Sequence, residues 1–224
     1  MEPTEHDIAR MFDGISRRYD LLNHILSGYT DVRWRNRVVR LSLTPQVKTI
    51  LDVSTGTGDM AIAYRNARKS IPVYGVDISM EMLKRARRKD PGLRLINGSG
   101  LSLPFRDNTF DLVSCAFGIR NIYPREAGIK EFYRVLKPNG TVMILEFSMP
   151  AGIFGKAYRF YFDRILPRLG NLISGTRAYT YLTTSVETFP EVGHFIQMLS
   201  SAGFKEVKTT RLTHGIAIIY TGKK

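Results

Sequence analysis

Thr49-Ile50-Leu51-Asp52-Val53-Ser54-Thr55-Gly56-Thr57-Gly58-Asp59 runs from a short apolar stretch, through two glycines, into a helical pattern that continues to Tyr64. That is how a strand hands over to a helix in an α/β sheet. Glycines at such a junction let a ligand approach the backbone closely, and the helix N-terminus that follows favours anionic groups. The run is not the G-x-G-x-x-G of dinucleotide enzymes and lacks the Gly-Lys-Ser/Thr of a P-loop, which disfavours hydride transfer and phosphoryl transfer. By itself it is an unspecific nucleotide-site signal.

Outward from this junction, strands and helices alternate. Val73–Asp77 is the second strand, and Ser79 caps a helix over Met80–Lys89 with Glu81 near its start and basic residues at its end, as the helix dipole prefers. Residues 93–96, Phe110–Ala116 and 141–147 supply three more strands, with a helix over 127–135 and a tight turn at Lys137-Pro138-Asn139-Gly140 before the last. The alternation predicts right-handed βαβ crossovers and a parallel sheet. After a helix over 192–202, ended by Gly203, strands at 204–211 and 215–221 are joined too closely for a crossover and must pair antiparallel. Ahead of the sheet, Ile8, Met11, Phe12, Ile15 and Tyr19 recur at helical spacing, as do Trp34, Val38 and Leu41, the second stripe stopping at Thr44-Pro45. The expected architecture is one α/β domain over 1–224, a doubly wound Rossmann-like sheet. It divides into an N-terminal helical lid (1–45), a cofactor-binding core (46–148), a substrate-side helical insertion (149–190) and a closing helix and strand pair (191–224).

Composition agrees with a globular chain: 224 residues, 43% hydrophobic and 24% charged. No stretch approaches the roughly 18 apolar residues of a spanning helix, and the polar, acidic start does not read as a secretory signal. One cysteine, Cys115, excludes an internal disulfide and a multi-cysteine metal site. It fits a reducing cytoplasm and, inside an apolar strand, reads as a core residue. His24, His194 and His214 show no ligand spacing, so no metal is expected. With 33 basic and 20 acidic residues the formal charge is +13, which favours phosphates of nucleic acid, anionic lipid or cofactor without choosing among them. Basic clusters lie at 33–40, 65–69, 84–89 and 159–168; the middle two read as solvated helix faces.

Asp77 closes the second strand about 20 residues after the glycines, where a carboxylate accepts hydrogen bonds from ribose hydroxyls. The competing reading is a helix cap, which Ser79 serves equally well. Strand ends on this edge of an open parallel sheet converge on the ligand crevice, so residues 97–100, 116–118 and 146–148 belong to one site.

Other motifs are more particular. They are Tyr19-Asp20-Leu21-Leu22-Asn23 with Ser27, Gly28 and Trp34; Phe105 and Asp107-Asn108-Thr109-Phe110-Asp111, then Phe117-Gly118-Ile119-Arg120-Asn121; and Tyr133-Arg134-Val135-Leu136-Lys137-Pro138-Asn139-Gly140 running into Leu145-Glu146-Phe147-Ser148. With Tyr179, Tyr181, Leu182, Ser185 and Ala202-Gly203-Phe204 added, the chain resembles the ubiquinone/menaquinone biosynthesis C-methyltransferase family from near its start to its end. The resemblance implies a Class I fold, seven strands with the last antiparallel, and methyl transfer from S-adenosylmethionine to a ring carbon of a polyprenylated quinol, demethylmenaquinol or a related ubiquinone precursor. It also implies that Gly56, Thr57 and Gly58 hold the methionine end of the cofactor, Asp77 the ribose, Ser99 and Gly100 the adenine, and that Ala116 is the strand-four contact. Two positions depart: Ser54 replaces a common glycine, and Ser99 an Asn or Asp.

Methylating a ring carbon requires an electron-rich carbon in line with the sulfonium methyl, about 3–3.5 Å away, and polarising the neighbouring phenolic oxygen supplies the electron density. Arg120 and Asn121, past strand four, and Tyr19, on the lid, are the candidate catalytic residues, with Asp20 able to relay a proton or cap a helix. Arg120 has a second reading as an ion-pair partner of Glu146. The aromatic segment with Phe154, Tyr158, Phe160, Tyr161, Phe162, Tyr179 and Tyr181 is expected to wall an isoprenoid tail. Phe154, Tyr158, Tyr161, Phe162 and Ile165 mark an amphipathic helix carrying Arg159, Arg164 and Arg168, suited to peripheral contact with an anionic membrane from the cytoplasmic side. A homodimer is compatible with the sequence. The alternatives are methylation of another small molecule or lipid, an RNA methyltransferase, and a cofactor-binding regulator without turnover. Nucleic acid is disfavoured by the lack of a separate RNA-binding module and of the Asn/Asp-Pro-Pro-aromatic tetrapeptide.

Overall fold

Three helices precede the sheet: α1 (Glu5–Ile15), α2 (Tyr19–Leu26) and α3 (Thr30–Ser42). The structure, a computed structural model, describes residues 3–150, 152–174 and 178–224. Thr4 starts α1 with a capping box, its hydroxyl accepting from the Asp7 amide while the Asp7 carboxylate accepts from the Thr4 amide.

β1 (Ile50–Val53) is buried at all four residues, as a central parallel strand covered on both faces must be. It pairs in parallel with β2 (Val73–Asp77) on one side and β4 (Phe110–Ala116) on the other. β3 (Arg94–Asn97) extends the first edge, and β5 (Leu136–Phe147) lies beside β4. β7 (Ala217–Lys223) runs antiparallel to β5, and β6 (Lys205–Leu212) closes the sheet in the order β3-β2-β1-β4-β5-β7-β6. Strand order reverses between β1 and β4, and the crevice beyond their C-terminal ends is where such sheets hold ligands.

Helices α4 (Asp59–Ala67), α5 (Met80–Lys89) and α6 (Arg125–Val135) follow β1, β2 and β4; α7 (Gly152–Phe160), α8 (Leu166–Ser174), α9 (Ala178–Glu187) and α10 (Val192–Ser201) lie between β5 and β6. Alternation along the strands builds two cores. Leu51, Val53, Val113 and Ile144 join α6 and α10 through Ile129, Phe132 and Phe195. Ile50, Leu112 and Met143 join α3, α4 and α5 through Trp34, Tyr64 and Ala86. Cys115 is fully buried, and burial pushes its thiol up, consistent with a core role.

Several expectations are corrected. Tyr19 does not continue the first stripe, because the chain turns at residues 16–18 and Tyr19 opens α2. Leu41 is 39% exposed, so it lies off the buried face of its helix. The Lys137–Gly140 turn sits inside β5 as a bulge: Leu136 pairs with Phe110 but Thr141 with Leu112, and Asn139 takes the left-handed conformation that lets the intervening residues loop out. Gly215 belongs to a short turn, so β7 starts at Ala217. The remaining boundaries shift by one to three residues, the helix after β1 running on to Ala67. The side chains of Phe154 and Tyr179 lie outside the described residues.

A π turn at Tyr161–Ile165 joins α7 to α8 in one continuous helix. Pro167 is the local cause, since it has no N–H to bond the carbonyl four residues back and its ring pushes that carbonyl away. The wider turn keeps Tyr158, Phe162 and Leu166, spaced by four, on one inner face; a regular helix would rotate such a row gradually away. Among the described residues, no helix is long and apolar enough to cross a membrane.

Candidate active site

The loop after β1 is built from left-handed residues: Ser54 at φ 54°, Gly56 at 56° and Gly58 at 86°. A Cβ on Gly56 would meet nothing within 4 Å, so this glycine borders open space, whereas one on Gly58 would lie 3.0 Å from Ala86. A Cβ on Gly118 would fall 2.4 Å from that of Ser54. Gly118 thus makes room for the serine that replaces the usual glycine. Phe117, just after β4, is also left-handed at φ 58°. Strain of about 1–3 kcal/mol at such non-glycine positions persists where the surroundings over-determine the geometry, commonly at working sites.

Asp77 is buried, its two oxygens accepting from the Gly56 amide at 2.7 Å and the Ser79 amide at 2.9 Å. Burial pushes its carboxyl up to about 6; the two amides and that of Ile78 oppose the shift, and Asp13 adds to it. It lines a cavity of about 410 Å³ together with Gly56, Ala116, Gly118 and Asn121. This cradle suits a nucleoside: lone pairs at Asp77 for ribose hydroxyls, a bare backbone at Gly56, and the small Ala116 as floor. Asp52 is likewise pushed to about 6 by burial, and it accepts from the hydroxyls of Ser114 and Thr55, pinning the loop to β4.

The N-terminal helices close over this cleft through three acidic side chains. Asp13 accepts from the Ser79 hydroxyl at 2.5 Å and from the Glu81 amide. Asp20 accepts from the Thr57 hydroxyl at 2.5 Å and pairs with Lys89 at 2.5 Å, and Lys89 also pairs with Asp59. Glu5 accepts from the Ser99 hydroxyl. Thr57 and Ser99 therefore face the lid, and neither they nor Gly58 and Gly100 line the small cavity itself.

Phe12, Tyr19 and Phe117 line this cavity and also a second, larger one of about 970 Å³. The larger wall is mainly apolar and aromatic, with Trp34, Phe147, Tyr158, Phe162 and Leu166. Phe117 and Phe147 stack at 4.4 Å, and the Trp34 indole donates to the Thr213 hydroxyl at 2.8 Å. Arg120 enters this wall at 5% exposure, with one terminal nitrogen bonded to Glu146 at 2.7 Å and to the Phe117 carbonyl at 2.5 Å. Its Nε–H is buried without a partner. Tyr19 is half-buried; burial raises its phenol, and the Arg120 and Arg35 charges pull the other way. Asn121 lines the smaller cavity and accepts from the Tyr181 hydroxyl at 3.0 Å, so it stands between the two spaces instead of on the larger one alone.

Asp77, Gly56, Ala116, Arg120 and Asn121 thus converge around the strand ends, and Tyr19 joins them from α2. Asp52, Phe12, Asp31 and Arg35 escaped it. Asp52 was detectable as the one carboxylate in an otherwise apolar strand; Phe12 stood in a helical stripe that reads equally as core. Asp31, which lines the larger cavity, carries an ion pair to Arg35 and bonds from His24 and Ser27. His24, Asp31 and Asp59 bring ligand atoms within 4.8 Å of one another, a grouping their spacing conceals; the cation among them is Arg35, paired with both carboxylates.

A sequence model of the ubiE/COQ5 methyltransferase family matches residues 1–224. The demethylmenaquinone methyltransferase of Thermus thermophilus is 46% identical over 220 residues, covering 96% of this chain and 100% of that one. The ubiquinone/menaquinone biosynthesis C-methyltransferase UbiE of Syntrophotalea carbinolica is 43% identical over 221 residues, covering 96% and 93%. Among solved structures, an S-adenosylmethionine-dependent methyltransferase of Thermotoga maritima superposes with a TM-score of 0.70 at 18% identity, over 96% of this chain and 99% of that one. The [4+2]-cyclase SpnF reaches 0.69 at 17% identity, over 100% and 97%. These two likenesses speak for the fold alone, since one fold hosts many reactions.

Proposed function

Because the chain belongs to the ubiE/COQ5 methyltransferase family it is an S-adenosylmethionine-dependent methyltransferase, and we propose that it methylates a ring carbon of a polyprenylated quinol such as demethylmenaquinol. The observation that carries this reading is the pair of adjoining cavities, a smaller one that holds the Asp77 carboxylate and the Gly56 backbone and a larger, mainly apolar one, with Phe12, Tyr19 and Phe117 lining both. S-adenosylmethionine, when bound, supplies an electrophilic methyl group on a sulfonium. Asp77 would accept from its ribose hydroxyls, and Gly56 would leave the backbone open to its methionine end. On the other side the apolar wall holds the ring and the first part of its tail and excludes water.

The unpartnered Nε–H of Arg120 is the donor available for the ring oxygen. As charge develops there, a fixed donor in a dry wall stabilises the transition state more than the ground state. Glu146 holds the guanidinium in place, and Tyr19 is placed to hydrogen-bond the same oxygen. Asn121, between the cavities, orients the acceptor through its link to Tyr181. As the bond between ring carbon and methyl forms, the donor's methyl–sulfur bond would break to leave a neutral thioether, and the ring carbon would then lose its proton to water.

The test is methyl transfer from S-adenosylmethionine to a reduced demethylmenaquinol, followed by mass spectrometry. Reduced quinol should be methylated and the electron-poor oxidised quinone should not. Arg120→Ala should lower turnover by roughly 10²-fold or more while donor affinity changes little. That change also leaves Glu146 buried and unpaired, at about 3–5 kcal/mol, so Arg120→Ala with Glu146→Gln is the fairer comparison and should stay equally slow. Full turnover in the double variant, or equal reaction of oxidised quinone, would overturn the reading.

A further inference from the structure

The continuous helix from α7 through the π turn to α8 has two unlike faces. Its inner face lines the larger cavity through Tyr158, Tyr161, Phe162 and Leu166. Its outer face exposes Ile153, Phe160 and Leu172, at 88%, 64% and 80%. α2, packed beside α8, adds Leu21 and Ile25, both more than half exposed. Large apolar side chains gathered this way mark an interaction surface.

The charge on this helix is lopsided. Lys156, Arg159, Arg164 and Arg168 are exposed, against the one carboxylate of Asp163. No ion pair engages any of the four among the described residues. Exposed aliphatic and aromatic side chains set among unpaired cations complement one kind of partner, a bilayer with acidic headgroups: the apolar groups enter the headgroup boundary and the cations remain at phosphate level. A protein partner offers no reason for cations to be interleaved so evenly with apolar groups, and RNA no reason for the exposed Ile153 and Leu172.

We propose that the outer face of the α7–α8 helix, with Leu21 and Ile25 of α2, docks on an anionic membrane and lets an acceptor pass from the bilayer into the larger cavity. The docking surface stands on these residues alone; the passage of the acceptor rests on the quinol reading above. One helix then serves both phases: the residues spaced by four face the cavity, and those between them face lipid.

The test uses the intact chain and vesicles without donor or acceptor. Phosphatidylcholine vesicles carrying about one third phosphatidylglycerol should retain the protein at low salt and release most of it at about 0.5 M NaCl, while pure phosphatidylcholine should retain little. The triple variant Ile153→Ser, Phe160→Ser, Leu172→Ser should bind anionic vesicles at least about tenfold less, with unchanged melting temperature and unchanged methylation of a short-tailed, water-soluble quinol. A charge-reversed variant, Arg159→Glu with Arg168→Glu, should lose the salt-sensitive part. Vesicle binding equal to wild type in the triple variant would overturn the proposal, as would a dimer in solution that these substitutions dissociate, or RNA binding with no retention on vesicles. Because vesicle retention is read without turnover, failure to methylate any quinol would sink only the catalytic reading.

Discussion

Two buried aspartates carry the pH behaviour of the site. Asp52 and Asp77 are both held near 6 by burial, above the usual carboxylate value of 3.8. A raised carboxyl binds more protons folded than unfolded between those limits, so stability falls as pH climbs from about 4 to 6, and the cost is complete above 6. Each group costs at most about 3 kcal/mol there. Asp52→Asn removes the charge while leaving an oxygen for Ser114 and Thr55; it should raise the melting temperature at pH 8 and make little difference at pH 5. An equal effect at both pH values, in thermal melts of the two proteins, would contradict the assignment. Asp77 behaves differently because a ligand is to use its charge. Donor affinity measured by calorimetry should weaken as pH falls through about 6, and Asp77→Ala should weaken it at least tenfold at pH 8, about 1.4 kcal/mol. In that variant the pH dependence should disappear.

At the scale of elements, the N-terminal helices are fastened by hydrogen bonds that hydroxyls on three different loops of the core donate to Asp13, Asp20 and Glu5. Each is a few-atom contact, and α1 otherwise rests on a small apolar cluster of Ile15, Met11, Phe12 and Met82. Such an element opens at less than the global unfolding free energy. Asp13→Ala should speed amide exchange in α1 and α2 and raise the donor dissociation rate several-fold or more, consistent with about 1 kcal/mol for each of the two bonds lost; exchange in α10 should not change. The elements of the core were legible because β1, β2 and β4 are apolar runs bounded by turns, and because Ser79 and Gly203 punctuate their helices. The break at residues 16–18 was not, since Tyr19 keeps helical spacing across it. The π turn was hidden too: a lone proline signals a kink but not which residues widen to accommodate it. Leu41 was misplaced because periodicity reports a face, not what covers it.

For the whole molecule, the site was readable as far as the strand ends reach, because parallel topology gathers them on one edge whatever the side chains. Asp77, Gly56 and Ala116 follow from that rule. What joins them from outside the sheet, such as the Asp31–Arg35 pair and Phe12, depends on how α1 to α3 fold back, and no local pattern encodes that docking. Phe12 and Tyr19 belong to this roof, and they line both cavities at once. One shutter therefore covers two rooms. On the proposed assignment of the cavities, spent nucleoside would leave and a fresh donor enter only with the acceptor side also unroofed, so the two exchanges would share a single clock. An enzyme built this way would trade speed for discipline: it would not idle with a charged donor beneath an open roof, where stray water or a passing nucleophile would take the methyl.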